Sequence, residues 1–165
     1  MPKTPPPQPL IIDRQYVKDL SFENPNAPGI YDDISGNRPR LSIQMDLTPT
    51  ALAERRYEII LSIRAGATKP DDSVAFLVEL HYAGLATVGA EVSEEEVERL
   101  LLVETPRHLF PFARGILATV VRDGGYAPLI VNPIDFEVFY EKNLKGTLPK
   151  PDAPASAAAA QADAG

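Results

Sequence analysis

The stretch RLSIQMDL at residues 40–47 alternates apolar and polar side chains along its whole length. Its apolar members are Leu41, Ile43, Met45 and Leu47. Because successive side chains of a strand point to opposite sides, these four share one face of an extended chain. The pattern predicts a strand with one buried face. Segments 12–23, 57–65 and 76–82 show the same period of two and predict three more strands.

The first of these segments, residues 12–23, separates apolar from polar side chains. One predicted face carries Ile12, Tyr16, Leu20 and Phe22. The other carries Asp13, Gln15, Val17, Asp19 and Glu23. On segment 76–82, Glu79 also points away from the apolar set. Acidic faces of this kind are most often simply solvated. The alternative is a docking surface for a basic partner.

Clusters of turn-forming residues separate the predicted strands. They read NPNAPG at 24–29, SGNRP at 35–39 and TKPDDS at 68–73. The last cluster is short enough for a hairpin, so we expect an antiparallel sheet. After these strands the period changes to that of helices. We therefore predict an α+β domain, a four-stranded antiparallel sheet with helices packed on one face.

Three helices are predicted in the second half of the chain. The first begins at Ser93, where SEEE forms a capping box, and ends at Pro106. The second starts near Pro111, buries Phe112 among other apolar residues, and ends at Gly124-Gly125. The third starts at Asn132-Pro133 and ends at Gly146.

The two ends of the chain differ in composition from its middle. Residues 1–9 contain five prolines, which predict a disordered Pro-rich arm. From Pro149 onward no aromatic or branched apolar residue is present. We therefore predict a folded domain over residues 10–146 and a disordered Pro/Ala-rich tail over residues 147–165.

Composition limits the classes of function. The 165 residues include 16 Lys and Arg against 23 Asp and Glu, a formal charge of −7. This sign argues against nucleic-acid binding, which needs cations against phosphates. There is no cysteine, which suits a reducing compartment. No apolar run reaches the roughly 18 residues of a membrane span, and the start lacks a signal sequence. We expect a soluble, cytoplasmic protein.

Little in the sequence points to catalysis. His81 and His108 are the two histidines, and either could act as a general base. A surface or interface histidine is the simpler interpretation. The GxxxxGK[ST] spacing of a phosphate-binding loop is absent, and two isolated histidines make no zinc site. We therefore predict no enzyme activity, no metal and no cofactor.

Aromatic residues are frequent in the predicted helices and loops. They include Phe110, Tyr126, Phe136, Phe139 and Tyr140. One interpretation is a core together with a subunit interface. The other is an apolar groove for an extended polypeptide, in which aromatic rings supply sequence-tolerant contact area.

Three long stretches resemble the SecB family of bacterial export chaperones. They are YVKDLSFENPNAP at 16–28, AFLVELHYAG at 75–84 and LFPFARGILATVVRDGGYAPLIVNPIDFEVFYEKNL at 109–144. The resemblance covers about residues 10–145. It implies a SecB-like fold and a homotetramer built as a dimer of dimers. It also implies an ATP-independent holdase that binds unfolded secretory preproteins and delivers them to the export motor SecA.

The resemblance also assigns roles to residues. Matching positions imply a SecA-docking surface at Asp19, Glu23, Leu77 and Glu79. They imply a tetramer interface at Phe76, Val78, Leu80 and Tyr82. The implied client groove is lined by Tyr31, Phe110, Tyr126, Phe136, Phe139 and Tyr140, where Tyr31 stands in a loop in which relatives often have tryptophan.

Three alternatives remain at this stage. A chaperone with one dedicated client, such as a toxin partner, would share the same sequence features. A small-molecule enzyme on a similar domain would need converging titratable groups in a pocket. A purely structural oligomer would slow the refolding of no other protein.

Overall fold

The computed structural model describes residues 6–151, and predictions for residues 1–5 and 152–165 lie outside them. Four long strands form one sheet: β1 (Leu10–Glu23), β2 (Arg40–Ala53), β3 (Arg56–Thr68) and β4 (Val74–Val88). Their order is β1-β4-β3-β2, and every neighbouring pair is antiparallel. The predicted α+β class and antiparallel sheet are confirmed.

Tight turns connect the three later strands. Glu54 and Arg55 join β2 to β3, and Arg55 has a positive φ of 57°. Its guanidinium donates to the carbonyl oxygens of Gly89 and Val92 at 2.7 and 2.8 Å, which fastens this turn to the loop after β4. Pro49 lies within β2, a position compatible with a strand at the sheet edge, where one side of the backbone needs no partner.

Two bulges in β1 change the predicted assignment of its faces. The register with β4 shifts between Ile12 and Arg14 and again between Val17 and Asp19. Each extra residue reverses the alternation that follows it. As a result Tyr16 lies opposite Ala83 on the outer face, whereas Val17 lies opposite Tyr82 on the inner face. The prediction that Tyr16 shares a face with Leu20 and Phe22 is therefore wrong.

The helical region differs from the prediction at its centre. Helix α2 (Glu94–Arg99), a π-helical turn (Leu100–Glu104) and helix α3 (Thr105–Asp123) follow one another without a loop. Ser93 accepts a hydrogen bond from the backbone of Glu96, as the capping box predicts. Pro106 falls in the first turn of α3, where a missing N–H costs little, and so it does not end the helix. His108 is an exposed residue of α3.

Two short helices complete the fold. Helix α1 (Gly29–Ile34) occupies a segment predicted as a loop. Helix α4 (Phe136–Phe139) is extended by a π-helical turn (Tyr140–Leu144). Asp135 caps α4 by accepting from the backbone N–H groups of Glu137 and Val138, so the helix begins three residues later than predicted. Gly146 follows with a φ of 78°, a left-handed conformation that glycine adopts without strain.

The core lies between the sheet and the helices. We call the face of the sheet that packs on the helices the inner face and the opposite one the outer face. Alternate residues of β3 and β4 are fully buried on the inner face, among them Ile59, Leu61, Ile63, Val78 and Leu80. Leu109 of α3 packs against Gly84, whose missing side chain lets the helix approach β4. One core therefore spans the described part of the predicted domain.

Candidate binding surfaces

The four residues Asp19, Glu23, Leu77 and Glu79 lie together on the outer face of the sheet. The β1–β4 register sets Glu23 opposite Leu77 and Ser21 opposite Glu79. Asp19 and Glu23 are exposed, and Leu77 and Glu79 are half-buried. We call this set the outer-sheet surface. Its two β1 carboxylates, Asp19 and Glu23, share a face because both bulges of β1 precede them in the chain.

His81 lies in the middle of the outer face. Its Nε2 atom is 3.1 Å from Glu79 Oε1, and its Nδ1 atom is 3.4 Å from Ser62 Oγ. The order Ser–His–Glu resembles a hydrolase triad, but the site is an open strand surface. Strand β3 is paired on both sides, so its N–H groups are taken up in the sheet and cannot stabilise an oxyanion. The arrangement gives no support to nucleophilic catalysis.

A half-buried carboxylate joins two strands on the outer face. Glu58 of β3 accepts hydrogen bonds from the Tyr16 hydroxyl and, at 2.7 Å, from Lys18 Nζ, both on β1. Burial, the hydrogen bond to Glu58 and the charge of that carboxylate raise the pKa of Tyr16 to about 12. Burial alone would raise the pKa of Glu58, but the hydrogen bonds from Lys18 and Tyr16 hold it below its usual range. Sequence reasoning missed this group because the bulge at Lys18 leaves no signal in the alternation.

An aromatic cluster lies at one end of the sheet, where β1 ends and β4 begins. The ring centroids of Tyr31 and Tyr126 are 5.5 Å apart, those of Phe76 and Tyr126 4.9 Å, and those of Phe22 and Phe76 6.1 Å. We call Phe22, Tyr31, Phe76 and Tyr126 the aromatic cluster. All but Phe76 remain partly exposed. The structure thus joins the two tyrosines that the sequence placed in a groove.

Asn24 holds the two tyrosines of the cluster in place. Its side-chain amide donates to the Tyr31 hydroxyl at 2.8 Å, and its Oδ1 atom is 2.6 Å from the Tyr126 hydroxyl. Tyr31 in turn donates to the Gly124 carbonyl at 2.9 Å. Any side chain at Gly124 would overlap the Phe22 ring. Burial and the neighbouring Tyr31 raise the pKa of Tyr126. The cluster is therefore a fixed structure rather than a set of mobile rings.

The other predicted groove residues occupy different places. Phe110 and Phe136 contact each other at 5.8 Å and are buried, and Tyr140 is buried as well. Phe110 lies 14 residues before Gly124, about 20 Å along α3 from the aromatic cluster. Phe139 alone of this group is partly exposed. Within one chain, Phe110, Phe136 and Tyr140 are core residues, and their contribution to a groove stays a prediction.

The residues of the predicted tetramer interface are buried within the single chain. Phe76, Val78, Leu80 and Tyr82 all point to the inner face, beneath the chain's own helices. Val78 and Leu80 have no exposed surface. A side chain buried in its own core has no area left for contact with another chain. These residues can influence assembly only through the packing of the helices above them.

Apolar side chains are exposed in several other places, among them helix α3 and the β2 edge. Phe112, predicted to be buried, is 57% exposed on the solvent side of α3. It lines a shallow depression with Pro111, Gly115, Ile116, Thr119 and Val120. On the inner face at the β2 edge, Leu41 is 57% and Ile43 39% exposed, because the helices do not reach this edge. Sequence reasoning missed both places, because a periodic pattern defines the faces of a strand or helix but does not show which of them other elements cover.

Within residues 6–151 no cluster of three His, Cys, Asp or Glu side chains could hold a metal ion. No helix in that range combines the length and the hydropathy needed to cross a membrane.

Comparison with known proteins identifies the family. The family model for the preprotein translocase subunit SecB matches residues 3–147. The chain belongs to the SecB family. The match extends over the whole sheet, all the helices and both surfaces described above.

Curated relatives agree with this assignment. The protein-export protein SecB of Rhodospirillum centenum is 45% identical over 136 residues, which cover 82% of this chain and 80% of the relative. The corresponding protein of Rhodospirillum rubrum is 46% identical over 138 residues, 83% of each chain. The protein is thus a protein-export chaperone, as the resemblance implied.

A solved structure shares the fold. It is the SecB-like chaperone Rv1957 of Mycobacterium tuberculosis, in complex with a ChAD peptide from the HigA1 antitoxin Rv1956. The TM-score is 0.57 at 14% sequence identity, and the match covers 76% of this chain and 90% of that one. At this identity the likeness concerns the fold and not the client.

Proposed function

We propose that the protein is an ATP-independent holdase, which binds unfolded secretory preproteins in an apolar groove and delivers them to SecA. The observation that carries this proposal is the placement of two different surfaces on opposite sides of one sheet. The aromatic cluster lies on the inner side, and the outer-sheet surface lies on the other. A chaperone with this division can hold a client and contact the motor simultaneously.

The client groove begins at the aromatic cluster and continues toward β2. On the inner face Phe76, Ala67 and Leu41 lie in one row across three strands. The next row runs from Phe22 and Val78 through Ala65 to Ile43. Ala65, Ala67 and Val78 are buried, so these rows are open to a client only at their β2 end, at the exposed Leu41 and Ile43. An unfolded chain lying there would gain apolar contacts of low sequence preference.

The free edge of β2 adds a second means of binding. In a single chain β2 is an outermost strand, so one side of its backbone has no partner in the sheet. An extended client could pair with that backbone while its side chains contact Leu41 and Ile43. Backbone pairing is independent of sequence, which suits a chaperone that accepts many preproteins.

The outer-sheet surface is our candidate for SecA docking. Asp19, Glu23 and Glu79 give it acidic character, and Leu77 supplies an apolar contact at its centre. A basic partner surface would be attracted at long range and positioned on contact. The overall charge of −7 also favours encounter with a basic partner.

We further propose a homotetramer, a dimer of dimers, in the cytoplasm. The exposed stripe on α3 around Phe112 and Ile116 replaces the predicted β4 residues as the candidate contact between dimers. Exposed apolar stripes of this kind are typical of interfaces. A cytoplasmic location follows from a role that precedes translocation.

A refolding assay tests the holdase proposal. A urea-unfolded, reduced precursor protein is diluted into buffer with or without the chaperone, in the absence of nucleotide. We expect equimolar tetramer to slow refolding and suppress light scattering. Unchanged refolding and aggregation would refute the proposal and favour a structural oligomer.

A further inference from the structure

A depression lies on the outer face of the sheet, beside the outer-sheet surface. It is centred on Gly66 of β3, which lies between Ser42 of β2 and Leu77 of β4 in one row. A Cβ atom at Gly66 would lie 3.4 Å from Leu77 Cδ1 and 3.5 Å from Ser42 Oγ. The depression has a volume of about 350 Å³ and is open to solvent.

The depression combines an apolar wall with a polar rim. Leu77 and Val74 supply apolar surface on the β4 side, and Ser42, Gln44 and Arg64 line the opposite side. Such a mixture suits one aliphatic side chain of a partner, held among groups that can bond to its backbone or to a neighbouring polar group.

Arg64 is free to take part in binding. Glu79 is its direct neighbour on β4, but the Glu79 carboxylate contacts His81 Nε2 at 3.1 Å instead. Among residues 6–151 Arg64 forms no ion pair. Its exposed guanidinium lines the depression. A planar cation with five donors is well suited to bind a carboxylate.

We propose that the Gly66 depression is a specificity subsite of the outer-sheet surface, which accepts one aliphatic side chain of the docking partner while Arg64 binds an adjacent carboxylate. The inference rests on the proposed docking of SecA at the outer-sheet surface. It adds that the recognised segment is not uniformly basic: it carries a basic group, an aliphatic side chain and an acidic group.

The strand spacing gives the distance between these groups. Glu23, Leu77 and Gly66 lie in one row on three adjacent strands. With about 4.8 Å between neighbouring strands, Glu23 and Gly66 are about 10 Å apart. The partner's basic group and its aliphatic side chain must therefore be separated by about this distance. Because acidic and basic contacts lie on different strands, they fix the direction in which the segment binds.

Charge complementarity favours the docking partner over a client as the occupant. The depression adjoins the acidic positions Glu23 and Glu79, whereas the aromatic cluster lies on the other face of the sheet. A client held on the inner face has no need to reach the outer one. Because Glu23 and Arg64 carry opposite charges, a segment that binds both must have a basic and an acidic group at defined positions. A general client has no such defined sequence.

Titration calorimetry with purified SecA tests the inference on the full-length chain. Gly66→Val obstructs the centre of the depression, and we expect it to weaken SecA binding roughly tenfold, the value of one buried aliphatic side chain. We expect Arg64→Gln to weaken it about threefold at low salt, with a smaller effect at high salt. Thr48→Val places the same valine side chain, and Arg14→Gln makes the same change of charge, elsewhere on the outer face; both should leave SecA affinity unchanged.

Controls separate this inference from the docking proposal on which it rests. If Asp19→Lys with Glu23→Lys weakens SecA binding but Gly66→Val and Arg64→Gln do not, the subsite is refuted and the docking surface stands. If none of these variants weakens binding, both are refuted. A change in assembly mass or in client affinity caused by Gly66→Val would show another copy or a client as the occupant, and would also overturn the subsite. Circular dichroism of Gly66→Val establishes that the variant is folded.

Discussion

Asp19 of β1 lies directly opposite His81 of β4, with both side chains on the outer face of the sheet. This pairing follows from the bulge at Lys18, because regular pairing without a bulge would set Lys18 opposite His81 and turn Asp19 toward the helices, opposite Leu80. The acidic positions of β1 and β4 consequently face solvent together, and Leu20 and Phe22 between them turn to the inner face. A single local irregularity thus determines which residues of β1 a partner can reach.

The first prediction concerns docking. We expect Asp19→Lys combined with Glu23→Lys to weaken SecA binding at least tenfold, because two attractive charges become repulsive. The assembly mass and client holding should not change, since both side chains are exposed and remote from the core. Calorimetry measures the first effect and light scattering the second.

The matched control for docking is Glu54→Lys combined with Glu95→Lys. It makes the same change in net charge at exposed positions away from the outer-sheet surface. Equal loss of SecA affinity in both double variants would mean that only net charge matters. Loss of SecA binding, mass and holding together would mean that Asp19 and Glu23 are structural.

The second prediction separates core from interface. Val78→Asp places a charge without a partner in the core, and we expect it to lower the free energy of unfolding by more than about 3 kcal/mol. Phe112→Asp should leave the fold intact but reduce the assembly mass, because Phe112 is 57% exposed in one chain. Urea unfolding and light scattering distinguish the two. A folded dimer from Val78→Asp would restore the β4 positions as an interface.

The third prediction concerns the client groove. We expect Tyr31→Ala to weaken the binding of an unfolded precursor at least fivefold, because a partly exposed ring is lost from the aromatic cluster. Tyr31→Phe retains the ring and should bind nearly as well as the original protein. Fluorescence anisotropy of a labelled precursor provides the affinity.

Phe110→Ala is the contrasting variant in that experiment. It should lower the free energy of unfolding by about 3 kcal/mol, since Phe110 is buried, while folded protein binds clients normally. Weaker binding by Phe110→Ala and unchanged binding by Tyr31→Ala would place the groove at the other end of α3.

The fourth prediction is a dependence of stability on pH. The pKa of Glu58 is lower in the fold than its ordinary value of 4.5, so its contribution to stability is present above that pH and is lost as pH falls through the folded pKa. The pKa of Tyr16 is raised from 10.0 to about 12, so its contribution is present below pH 10.0 and is lost as pH rises toward 12.

Variants of Glu58 and Tyr16 test the acidic and the alkaline parts of this pH dependence, by urea unfolding across the pH range. Glu58→Gln should lower stability at neutral pH by about 1–2 kcal/mol and reduce the loss on acidification. Tyr16→Phe should reduce the loss at alkaline pH. Glu95→Gln, an exposed carboxylate, is the control. Curves for Glu58→Gln that run parallel to those of the original protein would rule out this carboxylate as the source.

Much of the fold could be read from the alternation of side chains. The pattern at 40–47 gives β2, and the apolar set of 76–82 is buried as the pattern requires. The bulge at Lys18 could not be predicted, because the sequence around the inserted residue still fits an alternating pattern. The helix through Pro106 was also missed, since a proline in the first turn of a helix and one between helices look alike in sequence.

The candidate sites were also only partly predictable from the sequence. Asp19 and Glu23 were correctly placed on one face, because no bulge lies between them. The assignment of Val78 and Leu80 to an interface came from the resemblance, although the alternating pattern of residues 76–82 already indicated that both are buried. Which aromatic residues are core and which are exposed depends on helix packing, and no local pattern carries that information.

The most direct test of the holdase account is the light-scattering mass after size exclusion, measured for the protein alone and with a reduced, urea-unfolded precursor. The account predicts a mass of about four chains, and co-elution of the precursor without nucleotide. A protein that elutes as a single chain and leaves the precursor to aggregate would contradict it.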